Sequence, residues 1–314
     1  MIEEATSSKH SGTTDAPLVS VVAPCFNAEK YLEEALRSIY EQDYPNFEVI
    51  IVDDGSTDNS YAMLEQLQKV HGFQLYRQQN QGVSAALNFG LQHARGADAA
   101  DFRVLVEVRG AHAQRVRQHD VVQVRRGYVV AAGVLQAEVQ RCADALVIYI
   151  DSEGQETKRQ NGNRIRQLDF DYLLGNAYVC GAPVSLYRME ALRAAGFYDP
   201  EIKVQDFQMT LRIASQGYQI HKLPVLVTRY RRHPDNLSRR YKVLLDADLR
   251  TIAPYQSHPA YERGRTELVN KALKYAVVAD KRHAWQLLRS LPLRQWNRTT
   301  FRRLKRFLLH HETT

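Results

Sequence analysis

The sequence predicts an α/β fold: an open, mostly parallel sheet flanked by helices, followed by a helical C-terminal extension. Three observations predict it. Apolar runs alternate with amphipathic helical stretches three times between residues 18 and 96. The runs are apolar throughout rather than at every second residue, as strands covered on both faces must be. The chain has 314 residues, 44% of them hydrophobic, enough to bury the full core of one catalytic-sized domain with a helical part appended.

The elements follow in order. "LVSVVAPCF", Leu18 to Phe26, is a β-branched run long enough for a buried strand. In "AEKYLEEALRSIYEQ" the apolar positions Tyr31, Leu32, Ala35, Leu36 and Ile39 have helical spacing, and Asn27 stands where it could cap that helix. "FEVIIVDD" is a second buried strand, and a polar turn leads from it to a helix through "YAMLEQLQKV". "FQLYRQ" and "VSAALNFGLQHA" supply the third strand and third helix. In such sheets ligands bind at the carboxyl ends of the strands. "PCFN", "DDGSTD" and "NQG" all fall there. Asp53 and Asp54 therefore either serve a ligand or only shape the turn before Gly55, with Ser56 or Asp58 capping the next helix.

Charge and cysteine content narrow the function classes. The net charge is +7, but nine Lys or Arg stand against one acid from Lys281 to Thr314, a local +8 that leaves the preceding part at −1. A nucleic-acid surface would have to be this tail alone, and no nucleic-acid-binding module is present in the sequence. Cys25, Cys142 and Cys180 are odd in number and far apart, which suggests neither a disulfide framework nor a zinc cluster, and a reducing compartment is the default. No window of about 18 apolar residues occurs, and "MIEEATSSKHSGTTDAP" has the character of neither a membrane span nor a secretory signal.

The block from "VSVVAPCFNAEKYLEEALRSIYEQDYPNFEVIIVDDGSTDNS" to "NQGVSAALNFGL" resembles the nucleotide-binding half of the inverting glycosyltransferases of family 2, which have the GT-A fold. A later block, "GFYDPEIKVQDFQMTLRIASQGYQIHKLPVLVTRYRRHPDNLS", resembles the acceptor half. The resemblance implies a nucleotide-sugar donor, UDP-linked, and a glycan, lipid-linked or protein acceptor. Pro24 and Phe26 would line the base pocket beside Asn27, and Asp54 would accept a hydrogen bond from N3–H of uracil. Asp53 would hold the ribose or the loop, while Gly82, Ala85 and Asn88 would let the third strand-end loop approach the diphosphate. Many relatives carry Arg where this chain has Leu87. Asp206 in "VQDFQMTLRI" would be the general base, next to Gln205 on the acceptor side, unless the pair only complements the start of a helix. His233 stands where relatives place a histidine or arginine near the metal or diphosphate.

The family also implies Mg²⁺ or Mn²⁺ held by an acidic motif at the end of a fourth strand. That motif is missing. From Arg103 to Cys142 there is no Lys, Ile, Ser, Thr, Asn, Pro or Trp, a composition unlike the rest, and resemblance resumes only at "ADALVIYIDSEG". One account is that a stretch within about 100 to 144 is translated out of frame. The other is a divergent relative that lost the motif, with Glu107, Asp101 or Asp120 as poor substitutes and Glu107 and His233 as the weak metal candidates. The other two reading frames of the coding DNA decide between them: without an acidic pair in either, the first account fails.

These readings divide the chain into a disordered leader (1–16), a nucleotide-sugar-binding half (17–96), the anomalous segment (97–145), an acceptor half (146–245) and a basic helical extension (246–314). At the end of that extension, "RQWNRTTFRRLKRFLLHH" places Phe301, Leu304, Phe307 and Leu308 on one helical face among Arg302, Arg303, Lys305 and Arg306. Such a helix either lies on an anionic membrane from the cytoplasmic side or packs on the body with a solvated basic face.

Overall fold

The computed structural model describes residues 18–41, 46–95, 102–105, 108–109, 141–150, 155–179, 185–202, 204–231 and 240–309. The leader expected at 1–16, with Asp101, Glu107, Asp120 and His233, lies outside these residues.

Strand β1 (Val19–Phe26) occupies the middle of the sheet, parallel to β2 (Phe47–Asp53), which pairs in parallel with β3 (Gln74–Arg77). Helices α1 (Leu32–Tyr40), α2 (Ser60–His71) and α3 (Val83–His93) follow the three strands in turn. A fourth parallel strand stands at the place the fold requires: β4 (Phe102–Leu105) runs beside β1, and β5 (Val108–Arg109) pairs with Cys25 and Phe26 further along it. The following part of the chain adds β6 (Arg141–Ile150), β7 (Glu156–Arg159), β8 (Arg166–Leu168), β9 (Leu186–Arg188) and β10 (Gln219–Arg231). The sheet order is β3-β2-β1-β4-β9-β6-β10-β8, with β9 antiparallel to both β4 and β6. The same part carries, among the described residues, α4 (Phe170–Gly175), α5 (Met189–Ala194) and α6 (Gln205–Ser215).

Why the strands are apolar throughout is visible in how they pack. Val22, Ile50 and Val52 belong to one core cluster with Leu87 and Leu91 of α3, whereas Val21, Ala23, Val49 and Ile51 belong to a second with Leu32 and Leu36 of α1 and Leu64 of α2. Successive side chains of a strand point to opposite faces, so both faces need apolar cover. Each fully buried Val, Leu or Ile contributes roughly 1.5–3 kcal/mol of transfer free energy. Helix α3 comes unusually near the sheet. A Cβ added at Gly90 would lie 2.5 Å from Cγ1 of Val22 and 3.2 Å from Cγ2 of Val52.

Pro24 sits inside a central strand, a position that ordinarily costs a ladder hydrogen bond. Its described neighbour in the sheet is Val52 of β2. At the opposite edge of the sheet Glu48, also buried, is satisfied completely by Ser20, Gln74 and Arg95.

The C-terminal extension consists of α7 (Tyr241–Ile252), α8 (Tyr261–Ala279), α9 (Lys281–Arg289) and α10 (Arg298–Leu309). The four residues expected on one face of α10 divide. Leu304 and Phe307 pack against the main core together with Trp296, while Phe301 and Leu308 are 57% and 64% exposed. The face is split because the helix has to cover the core with one flank and leaves the other to solvent.

On α7 the half-buried Asp248 has its carboxyl pushed up to about 6 by burial, which Lys271 of α8 only partly offsets. A carboxyl with a raised pKa binds its proton more tightly in the folded state. Asp248 therefore favours the fold most at low pH, and the contribution is lost as pH rises from about 4 through 6. Asp248→Asn is expected to be more stable than the parent at pH 7.5, by about 1–3 kcal/mol. In thermal unfolding the difference should vanish at pH 4.

Candidate functional site

The ends of β1 and β2 are tied together through side chains. Asn27 has φ 48, a left-handed conformation that Asn tolerates better than most residues. Its Oδ1 accepts from Thr57 N at 2.8 Å. The capping role expected for Asn27 is not what the structure shows: α1 begins at Leu32 with Tyr31 as its N-cap residue, and Asn27 is spent on the neighbouring loop instead. In return Ser56 Oγ accepts from Asn27 N, Ser60 Oγ from Ala28 N, and Glu29 Oε2 from Asn59 N. Asp58 does serve the start of α2, accepting from Ser60 N at 2.9 Å, whereas Ser56 faces the β1 loop.

The paired aspartates have separate tasks. Asp53 is fully buried; its Oδ2 accepts from Ser56 N and lies 3.3 Å from Nε of Arg77, whose guanidinium stacks on Tyr61. Oδ1 of Asp53 is buried with no partner among the described residues, an arrangement that costs free energy unless a donor arrives. Asp54, 3% exposed, turns the other way. Its Oδ1 accepts from Gln78 Nε2 at 2.7 Å and Gln81 N at 2.9 Å, and its Oδ2 accepts from Gly82 N at 2.9 Å. Gly55 makes this approach feasible: it has φ 73, and a Cβ there would lie 2.8 Å from Asn80 N. Asp54 thus fastens the third strand-end loop to the second.

The remaining residues of the expected nucleotide site are distributed around these loops. Pro24 is buried in β1, whereas Phe26, at its end, is 41% exposed and presents a ring at the mouth. Gly82, with φ 90, precedes α3, and Ala85 lies half-buried one turn into it. Leu87 is 2% exposed within the core, so it faces away from the loops; the spacing Val83, Leu87, Leu91 already marks this apolar face. The amide of Asn88 is not directed at the strand-end loops. Its Nδ2 donates to Tyr198 O at 2.7 Å and its Oδ1 accepts from Tyr198 N at 2.9 Å. This contact, between residues 110 apart, is one that sequence reasoning missed.

Gln205 and Asp206 open α6, Gln205 buried and Asp206 half-buried in the first turn, where a carboxylate is favoured by the helix dipole. Tyr198 is buried nearby, its phenol pushed well above the ordinary value by burial and then by Tyr187 and Asp206. Cys25, under the β1 loop, is chemically quiet: burial, then Asp53 and Asp58, push its thiol up to about 12. Among the described residues no group of three His, Cys, Asp or Glu side chains could hold a metal ion. The weak metal candidates Glu107 and His233 lie outside the described residues.

Comparison with known proteins matches residues 20–100 to the family model "Glycosyl transferase family 2". Residues 20–100 therefore carry a glycosyltransferase family 2 domain. Similarity to curated proteins is densest in the same region: the chain is 40% identical over 82 residues to TuaG of Bacillus subtilis strain 168, named for teichuronic acid biosynthesis, covering 26% of this chain and 32% of TuaG. Over 235 residues it is 26% identical to a dolichyl N-acetyl-α-D-glucosaminyl phosphate 3-β-D-2,3-diacetamido-2,3-dideoxy-β-D-glucuronosyltransferase of Methanococcus voltae, covering 68% of this chain and 66% of that protein. The match thus spans from a third to two thirds of these relatives' lengths. Among solved structures, TarS 1–349 of S. aureus in complex with UDP-GlcNAc superposes with a TM-score of 0.60 at 17% identity, covering 88% of this chain and 82% of that one. The mannosyltransferase PcManGT of Pyrobaculum calidifontis, in complex with GDP-Man and Mn²⁺, gives 0.53 at 19%, covering 94% and 87%. The fold of the chain is GT-A.

Asp54→Ala would leave the amides of Gln81 and Gly82 without their acceptor. A loss of about 2–4 kcal/mol of stability in urea unfolding is expected, the order of two unmade hydrogen bonds to a charged acceptor.

Proposed function

We propose that the chain transfers a sugar, with inversion, from a UDP-linked donor to a glycan, lipid-linked or protein acceptor in cell-surface polysaccharide or glycoconjugate synthesis. The observation that carries this reading is the pair of carboxylates in separate settings. Asp53 offers a buried oxygen with no partner among the described residues, at the carboxyl end of β2, and Asp206 opens a helix in the later part of the chain. In the reaction Asp206 takes the proton of the acceptor hydroxyl as that oxygen bonds to the anomeric carbon. The bond from that carbon to the diphosphate oxygen breaks on the opposite face, and the nucleoside diphosphate leaves.

For the donor, the exposed ring of Phe26 would stack on the base. Asp54 has three protein donors around its two oxygens, and a carboxylate offers about four acceptor positions. One therefore remains for N3–H of uracil. Asp53 Oδ1 would accept from a ribose hydroxyl, and the N-terminus of α3, beginning after Gly82, would face the diphosphate. Mg²⁺ or Mn²⁺, expected for the family, would neutralise the departing diphosphate; PcManGT was solved with Mn²⁺. A chain in which the fourth-strand motif is truly lost would instead be a non-catalytic relative that binds nucleotide-sugar.

The experiment separates the two. Asp206→Asn should leave UDP affinity in calorimetry unchanged while lowering transfer turnover by on the order of 10²–10⁴. Binding of UDP without any transfer in the parent chain would favour the non-catalytic relative, and near-normal turnover of the variant would remove Asp206 as base.

We place the protein on the cytoplasmic side of a membrane, held there by α10. No helix among the described residues is long and apolar enough to span one. Phe301, Leu308, Leu309, Leu293 and Trp285 are all at least 49% exposed, and Arg294, Arg298, Arg302, Lys305 and Arg306 stand among them. Each basic side chain near an anionic surface adds on the order of 1 kcal/mol. Sedimentation with vesicles containing phosphatidylglycerol should carry the protein down, and charge reversal at Lys305 and Arg306 should release it; equal sedimentation with neutral vesicles would contradict the electrostatic part.

A further inference from the structure

The turn between α5 and α6 is built in an unfavourable way. Gly196 and Phe197 both adopt left-handed backbone, φ 73 and φ 58. For a residue as bulky as Phe that conformation is unfavourable and persists only when its surroundings over-determine it. The surroundings here are side chains from two other elements. Arg212 Nη1 of α6 donates to Phe197 O at 2.9 Å, and Gln208 Oε1 of α6 accepts from Asp199 N at 3.0 Å. Between them, both backbone groups of Tyr198 are taken by the one amide of Asn88.

Asn88 does not belong to the acceptor half. It lies on α3, less than two turns after Gly82, whose N–H is held by Asp54. Two rigid connections therefore meet in that helix: one from the donor loops at its N-terminus, one to the strained turn in front of α6. The same turn presents Tyr198 to the neighbourhood of Asp206. Among side chains only Asn and Gln carry a donor and an acceptor side by side on a planar amide, and Gln would place them one methylene too far.

We infer that Asn88 is a positioning residue: by clamping the backbone of Tyr198 it fixes the first turn of α6, and Asp206 with it, relative to the helix that faces the donor. The inference rests on reading Asp206 as the base. It gives Asn88 a task other than contact with the diphosphate. Removing the clamp releases a turn that is held against its own backbone preference, so the carboxylate samples positions from which it cannot take the acceptor's proton. Donor affinity does not depend on the clamp, because the loops that form the donor edge are fastened by Asp54 independently.

The test uses the full chain with Asn88→Ala, Asn88→Asp and Asp206→Asn. Hydrogen–deuterium exchange should rise at least tenfold in peptides covering 196–209 of Asn88→Ala, with 19–26 unchanged. Asn88→Asp, which keeps the acceptor for Tyr198 N but loses the donor to Tyr198 O, should fall between. UDP affinity in calorimetry should stay within twofold, and where transfer is measured kcat should fall at least tenfold at unchanged donor KM. Unchanged exchange in 196–209, exchange rising equally in 19–26, or a tenfold loss of UDP affinity would overturn the inference. The two readings fail separately. Full transfer by Asp206→Asn with an opened turn in Asn88→Ala removes the base and leaves the clamp, whereas an inactive Asp206→Asn with an unopened turn removes the clamp alone.

Discussion

The carboxylate of Asp54 is the interaction on which the strand-end region depends. Three loops leave the sheet side by side, and each would be free to wander if backbone pairing were its only restraint. Asp54 closes the gap between two of them by accepting from both backbone and side chain of the third-strand loop, while its own N–H donates to Cys25 O at the end of β1. One residue thus ties all three strand ends together. Charge-assisted bonds in a buried setting are about twice as strong as neutral ones, and burying a carboxylate without them would be prohibitive. The strength of the fastening and the need for it have the same origin.

Asp53 shows the converse. It is equally buried, but one oxygen is committed to Ser56 and Arg77 and the other has no partner among the described residues. Two adjacent acids at one strand end differ because alternate residues of a strand face opposite ways, so one carboxylate fastens the third strand-end loop and the other the turn after β2. The abrupt change from an apolar run to "DDGSTDNS" reflects that division of labour. The small polar residues after the aspartates supply the hydroxyls and amides that interlock with residues 27–29.

Much of the fold was legible because it rests on local pattern. Runs apolar at every position fixed buried parallel strands, and helical spacing fixed the three connecting helices. The fourth strand at Phe102–Leu105 was less visible, being four residues long beside a stretch of unusual composition. The positions of Asp53 and Asp54 at a strand end and of Asp206 at a helix start were legible because local patterns mark them. Contacts were not legible where the partner is remote: nothing near Asn88 announces Tyr198, 110 residues on, and the cap expected of Asn27 gave way to a tertiary partner, Thr57, thirty residues away. The face of α10 divided for a similar reason, since periodicity tells which residues share a flank but not where the core ends.

The close seat of α3 on the sheet reaches further than packing. At Gly90 the absent methyl lets the helix settle onto Val22 and Val52, and the same helix carries Gly82 at one end and Asn88 along its length. Helix height is therefore a shared dimension of both halves, measured from the far side of the sheet's working edge. An alanine at Gly90 would act as a shim. By lifting the helix a fraction of an ångström it would shift the loop held by Asp54 and the turn before α6 together, altering the spacing between them while leaving their own residues unchanged.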